Sequence, residues 1–170
     1  MGIFKHVRET TAQPGLFIRA LDPALILAVF FLDRLSKTLV LKYLYPGSEP
    51  VLPFFKLTYV ENTGVAFGMF RDSNDFFIVF SAVLIAALLV FRRKCSGRGP
   101  AVSAGLALVL GGALGNLYDR LAYGFVVDFF DLSFFPAVFN IADSAITAGA
   151  VLLTLGMRTG GCETAGSRTL

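Results

Sequence analysis

The sequence predicts an all-α polytopic membrane protein. Four transmembrane helices carry a small exterior β-cradle or hairpin, and a short interfacial segment joins helices 3 and 4. Three observations lead there. The chain of 170 residues is 55% hydrophobic and 16% charged, with a mean hydropathy of +0.70, too apolar for an ordinary soluble domain. Four apolar stretches are long enough for a hydrocarbon core, which takes ~20 helical residues. Lys and Arg are divided unequally between the two sides that these stretches define.

The first stretch runs roughly from Pro23 to Leu44. The second covers about Asp75 to Phe91 and stops at Arg92-Arg93-Lys94. The third runs from about Pro100 to Tyr118 and the fourth from about Pro136 to Met157. With both termini cytoplasmic, the inner side carries Lys5, Arg8, Arg19, Arg92, Arg93, Lys94, Arg98, Arg158 and Arg168. The outer side carries only Lys56, Arg71 and Arg120. That is a positive-inside pattern. It gives a single membrane domain over 23–157, a cytoplasmic segment at 1–22 and a cytoplasmic tail at 158–170. No removable signal peptide or myristoylation signal is read at the N-terminus.

The exterior segment 46–74 opens with the turn residues Pro46, Gly47, Pro50 and Pro53. Phe54 to Val60 then has the β-branched and aromatic content of a strand. Thr63-Gly64 is a turn candidate, and Val65 to Phe70 is read as a second strand closing a hairpin. The segment 119–136 holds Phe125, Phe129, Phe130, Phe134 and Phe135, a density that predicts a piece lying in the membrane interface. Gly111-x-x-x-Gly115 and Ala145-x-x-x-Gly149 allow close helix approach in lipid, so helices 3 and 4 are expected to meet.

Elimination narrows the chemistry. The one histidine, His6, lies near the cytoplasmic terminus, so no Ser-His or Cys-His pair is available at the outer face. No His-Glu-x-x-His exists for zinc, and no phosphate-binding glycine loop follows a strand. Cys95 and Cys162 fall on the cytoplasmic side and are expected as free thiols. Ser36 and Lys37 are adjacent on a helix and diverge by about 100°. No basic run argues for nucleic acid.

Acidic residues remain. Asp33 and Lys37 stand at i, i+4 and can pair on one helix face, lowering the cost of carrying both into the bilayer. Asp119-Arg120 closes the third stretch. Asn116 and Asn140 need partners in lipid and are placed to bond a carboxylate, a substrate carbonyl or backbone. Asp128 and Asp143 have no basic residue within four positions. Two readings stand for them. Either they meet and share one proton, the arrangement of an aspartic hydrolase, or they are two separately bonded interfacial acids. A small ion- or proton-coupled transporter is an alternative of another class, because intramembrane acids also mark ion paths. Against it, the acids cluster at one face and no inverted repeat is visible.

The chain resembles the bacterial lipoprotein signal peptidases (signal peptidase II). Five blocks carry the resemblance in order: Asp33-x-x-Ser-Lys37; Asn62-Thr-Gly64-Val-Ala66-Phe67-Gly68; Gly111-Gly-Ala-Leu-Gly115-Asn116-Leu-Tyr-Asp119-Arg120; Val126-Val-Asp128-Phe; and Phe139-Asn140-Ile-Ala142-Asp143-Ser-Ala-Ile146. The resemblance implies an intramembrane aspartic endopeptidase of the bacterial inner membrane. Such an enzyme removes the signal peptide of prolipoproteins just before a diacylglyceryl-modified cysteine. Asp128 and Asp143 would be its catalytic pair. Asn62, Gly64, Asn116, Asp119, Arg120 and Asn140 would bind substrate or support the site, and Asp33 and Lys37 would form a structural ion pair. The expected partners are diacylglyceryl-prolipoproteins and membrane lipids. A monomer without metal or organic cofactor is expected.

Overall fold

The computed structural model describes residues 15–64, 74–94 and 99–159. The expected strand Val65–Phe70, together with His6, Cys95 and Cys162, lies outside them. The described chain forms four helices and one small sheet: α1 (Gly15–Tyr43), β1 (Ser48–Leu52), β2 (Phe55–Asn62), α2 (Asn74–Lys94), α3 (Pro100–Tyr123), β3 (Val126–Leu132) and α4 (Ile141–Thr159). Among the described residues, Asn74–Arg93, Pro100–Tyr123 and Ile141–Arg158 are long and apolar enough to cross a membrane. α1 spans 29 residues but carries Asp33, Arg34 and Lys37 in its interior.

α3 lies at the centre. It packs most extensively on α4, then on α1, then on α2. Its small residues explain this, because lipid offers no hydrophobic drive for helix association and close backbone approach must supply it. A Cβ on Gly105 would fall 2.8 Å from the Gly149 carbonyl oxygen of α4, and one on Gly115 would fall 2.6 Å from Asp33 Oδ2 of α1. The Gly111 surface meets Ile26 and Val29 of α1, while Gly112 meets Ala142 and Ile146 of α4. The glycines therefore serve both neighbours, not α4 alone. At the other end of the bundle, Asp22 of α1 accepts from Arg92 of α2 at 3.2 Å and from Ser103 of α3, tying three helices together.

The sheet corrects the reading of the exterior segments. Strand order is β1-β2-β3, antiparallel throughout. The 119–136 segment divides between the end of a helix and a strand. Residues through Tyr123 continue α3, which stops at Gly124 in the left-handed conformation, φ 81°; residues 126–132 are a strand paired with β2. Its Val-Val-Asp-Phe-Phe core has strand-forming content; Phe129 is buried, whereas Phe134 and Phe135 beyond the strand stay exposed. Val127 and Phe129 point to one side of β3 and pack with Val40 of α1, supported by Leu57, Tyr59 and Ile141. By the period of two, Asp128 points to the other side. β1 occupies part of the supposed turn region; its Pro50 is tolerated because β1 is an edge strand.

Two helix boundaries also shift. α1 begins at Gly15, with Pro23 inside it, instead of near Pro23. α4 begins at Ile141, five residues after the expected Pro136, because Phe139 first forms a bridge with Phe130 of β3.

Candidate active site

The site grows from the start of α4. Asn140 caps the helix: its Oδ1 accepts from the Asp143 backbone N–H at 2.9 Å, and its own N–H donates to Asp143 Oδ2 at 3.3 Å. This reciprocal exchange is a capping box with an acid in the third helical position. Asp143 therefore stands in the first turn of α4. A second free N–H of that turn, on Ala142, donates to Asp33 Oδ1 of α1 at 3.0 Å.

The Asn140 side-chain amide faces the sheet. Its Nδ2 lies 2.6 Å from Asp128 Oδ1 and also reaches the Val127 carbonyl at 3.3 Å. Asp128 Oδ2 accepts from Asn62 Nδ2 at 2.8 Å. Asn62 Oδ1 in turn accepts from the Gly64 N–H at 3.1 Å, closing a side-chain turn at the end of β2. Asp128 and Asp143 are thus bound to one residue, Asn140, from opposite sides of a seam between sheet and helix.

Behind them lies a buried ionic cluster. Lys37 Nζ sits 2.9 Å from Asp33 Oδ2, 2.9 Å from Asp119 Oδ2 and 2.9 Å from Asn116 Oδ1, which uses all three ammonium donors. Arg34 Nη1 lies 2.5 Å from Asp119 Oδ1. The Val127 N–H also donates to Asp119 Oδ2, at 3.2 Å. The ammonium can only donate, so Asn116 must turn its oxygen to Lys37. Its Nδ2 then faces Asp143 Oδ1, at 2.8 Å. The cluster thereby fixes the hydrogen bond made to the acid.

Arg120 lies apart from the carboxylates' direct contacts. Its Nη2 reaches the Gly64 carbonyl at 3.4 Å, and its guanidinium carbon stands 5.2 Å from the Phe77 ring. It ties α3 to the turn beyond β2. All ten residues singled out from the sequence belong to one connected network. Arg34 was missed as a site residue. Its partner Asp119 is distant in sequence, and spacing within α1 points only to Asp33 and Lys37. The one available signal was a second cation among apolar residues.

The electrostatics favour proton sharing. The Asp128 carboxyl is pushed up to about 7, first by burial and then by the charge of Asp143; hydrogen bonds from Asn62 and Asn140 oppose the shift. Two acids held together by neutral amides can carry one proton between them, one acting as base and the other as acid. Among the described residues, no group of three or more His, Cys, Asp or Glu is placed to hold a metal ion.

Fold and site together define an integral membrane protein built around two neighbouring carboxylates, Asp128 buried and Asp143 half-buried. The family described as signal peptidase (SPase) II matches residues 25–158. A lipoprotein signal peptidase of Caldanaerobacter subterraneus subsp. tengcongensis is 50% identical over 127 residues, 74% of this chain and 87% of that protein. One from Burkholderia cenocepacia is 46% identical over 153 residues, 85% of this chain and 92% of that protein. Among solved structures, a bacterial membrane enzyme determined by the in meso method at 2.3 Å superposes with a TM-score of 0.78. The two are 26% identical, and the match covers 89% of this chain and 95% of that one. A second, at 1.9 Å, gives a TM-score of 0.73 at 30% identity over 80% and 91% of the two chains. The chain belongs to the signal peptidase II family.

Proposed function

We propose that Asp128 and Asp143 are the catalytic pair with which this protein cleaves prolipoproteins just before the diacylglyceryl-modified cysteine. The protein is an aspartic-type protease that removes prolipoprotein signal peptides. The observation that carries the residue assignment is the shared partner. Asn140 donates from its side chain to Asp128 and from its backbone to Asp143.

In the working state the pair holds one proton. The ionised carboxylate takes a proton from water as the oxygen attacks the scissile carbonyl carbon. The protonated carboxyl gives its proton to the carbonyl oxygen. Collapse of the tetrahedral diol breaks the C–N bond, and a proton passes to the leaving nitrogen. The products are the signal peptide's new carboxyl terminus and a lipidated cysteine with a free amine. Asn62, Asn116 and Asn140 hold the two acids, and Arg120 holds the Asn62–Gly64 turn through the Gly64 carbonyl.

The full topology belongs to the same proposal. α1 is the fourth span, its charges matched internally by the cluster with Asp119. Both termini face the cytoplasm, and the sheet and the pair face the exterior side of a bacterial inner membrane. Residues 23–157 form one membrane domain, flanked by cytoplasmic segments 1–22 and 158–170, and the enzyme works as a monomer. With Asp143 in the first turn of α4, the diacylglyceryl group lies among lipid tails and sets the depth of the cut. Each buried methylene contributes ~0.8 kcal/mol of anchoring. Membership of the signal peptidase II family supports a peptidase over the transporter considered from the sequence.

The test uses purified protein with a lipidated prolipoprotein and its unlipidated precursor in the same micelles. Asp128→Asn and Asp143→Asn should each abolish cleavage while leaving folded protein, since an amide cannot exchange the proton. The unlipidated precursor should be cut far more slowly by the parent enzyme, through weaker productive binding. Near-normal turnover by either variant would falsify the pair. Equal rates on both precursors would remove the lipid from the account of recognition.

A further inference from the structure

We propose that Arg34 is a positioning residue that sets the pH range of the Asp128–Asp143 pair, by cancelling the second negative charge of the cluster behind it. The proposal rests on the catalytic reading above. Arg34 falls in an open position of the Asp33-x-x-Ser-Lys37 block, so its role comes from where it sits in this chain.

Asp33 and Asp119 have no exposed side-chain surface, and Lys37 has 1%. Lys37 is a single charge shared equally, at 2.9 Å, between two carboxylates. The second positive charge is Arg34. Its Nη1 stands 2.5 Å from Asp119 Oδ1 and its Nη2 3.4 Å from Asp33 Oδ2. The Tyr118 ring covers the guanidinium, with 4.7 Å between ring centroid and guanidinium carbon. With Arg34 the cluster is neutral. Without it, one net negative charge stays in a dry interior, where water screens little.

That charge would be felt at the pair. Lys37 and Asn116 link Asp119 to Asp143 through side chains, every member hydrogen-bonded, and a second route runs through the Val127 backbone and Asn140. Other charged groups also face the pair: Asp33 and Lys37 from α1, and Asp119 and Arg120 from α3, whereas Glu61 of β2 is exposed on the Val127 side of the sheet. None of them changes its formal charge when Arg34 is neutralised. An added negative charge behind the site makes ionisation of Asp128 harder, so cleavage should need a higher pH.

The experiment is the pH–rate profile of kcat/KM for lipidated prolipoprotein, with Arg34→Gln, Arg34→Lys and Asp128→Asn beside the parent. Arg34→Gln should move the acidic limb upward by about one pH unit, the effect of one charge at roughly 10 Å in a protein-like dielectric. Arg34→Lys should leave the limb in place, even where its single-point contact lowers the rate or the melting temperature. A purely structural role would scale the rate at every pH without moving the limb. A superimposable Arg34→Gln profile, or a limb displaced in Arg34→Lys, overturns the proposal. If Arg34→Gln does not accumulate as folded protein, Arg34→Met, which keeps more of the packing against Tyr118, takes its place, and a parent-like limb there overturns the proposal. Activity surviving Asp128→Asn would instead overturn the catalytic reading itself; an unmoved limb with an inactive Asp128→Asn overturns only the role of Arg34.

Discussion

Asp33 and Asp119 are fully buried, and Asp128 is 1% exposed, yet they keep different company. The first two meet Lys37 and Arg34 at ion-pair distance. Asp128 meets only the neutral amides of Asn62 and Asn140, with Asp143 beyond. Cations neutralise the charge of the first pair of acids. Amides orient the second pair without supplying an opposite charge. Burial alone does not mark a reactive acid; burial without a counter-charge does.

The largest stability effect should come from unbalancing the cluster. Asp33→Ala leaves an excess buried cation and removes the partner of the Ala142 N–H. A loss of about 3–5 kcal/mol is expected. Adding Lys37→Met restores neutrality with Arg34 and Asp119 still paired, so the double variant should melt above the single one in detergent. Equal melting temperatures would break the contrast between the two groups of acids.

A smaller effect should follow from crowding the cluster without altering its charge. A Cβ at Gly115 would sit 2.6 Å from Asp33 Oδ2. Gly115→Ala should therefore displace the Asp33 carboxylate and cost about 1–3 kcal/mol. Gly124→Ala serves as a contrast, because its Cβ meets nothing and only its φ of 81° is strained. If Gly115→Ala costs no more than Gly124→Ala, the close packing of α3 on Asp33 is not important to stability.

The last effect concerns pH and sharpens the comparison from the other side. Asp128 titrates near 7 in the folded chain, against about 3.9 for an unperturbed Asp. The folded state binds this proton more tightly, so the stability it contributes is complete below about pH 4 and is lost as pH rises through 7. The parent's melting temperature should fall by a few degrees between pH 5 and 8. Asp128→Asn should lack that part of the fall. Identical slopes for both proteins would show that Asp128 is not the group responsible.

Much of this site was legible in the sequence because its residue types are costly in lipid. Asp33 with Lys37, Asn116, Asn140 and the two unpaired acids stood out against apolar neighbours, and the structure joins them. β3 was hidden for a physical reason. A Phe-rich strand and a Phe-rich stretch lying in a membrane interface have the same composition, and the strand shows only through its pairing with β2. The start of α4 was misplaced because Pro136 to Asn140 is apolar enough to continue a span. Asn140, a strong helix-starting residue, was the better signal. Arg34 escaped because helix spacing relates residues within α1 and says nothing of α3.

The seam between sheet and helix has a consequence for how the enzyme is tuned. Asp128 moves with β3, whereas Asp143 moves with α4 through its capping box. The gap between their oxygens is therefore set by how the two elements dock, and so by the apolar contact of Val127 and Phe129 with Val40 and Ile141. A methyl group added or removed at that contact, remote from any reacting atom, would act as a shim under one half of the machinery. Changes in turnover should then arise there with both acids and all three asparagines untouched.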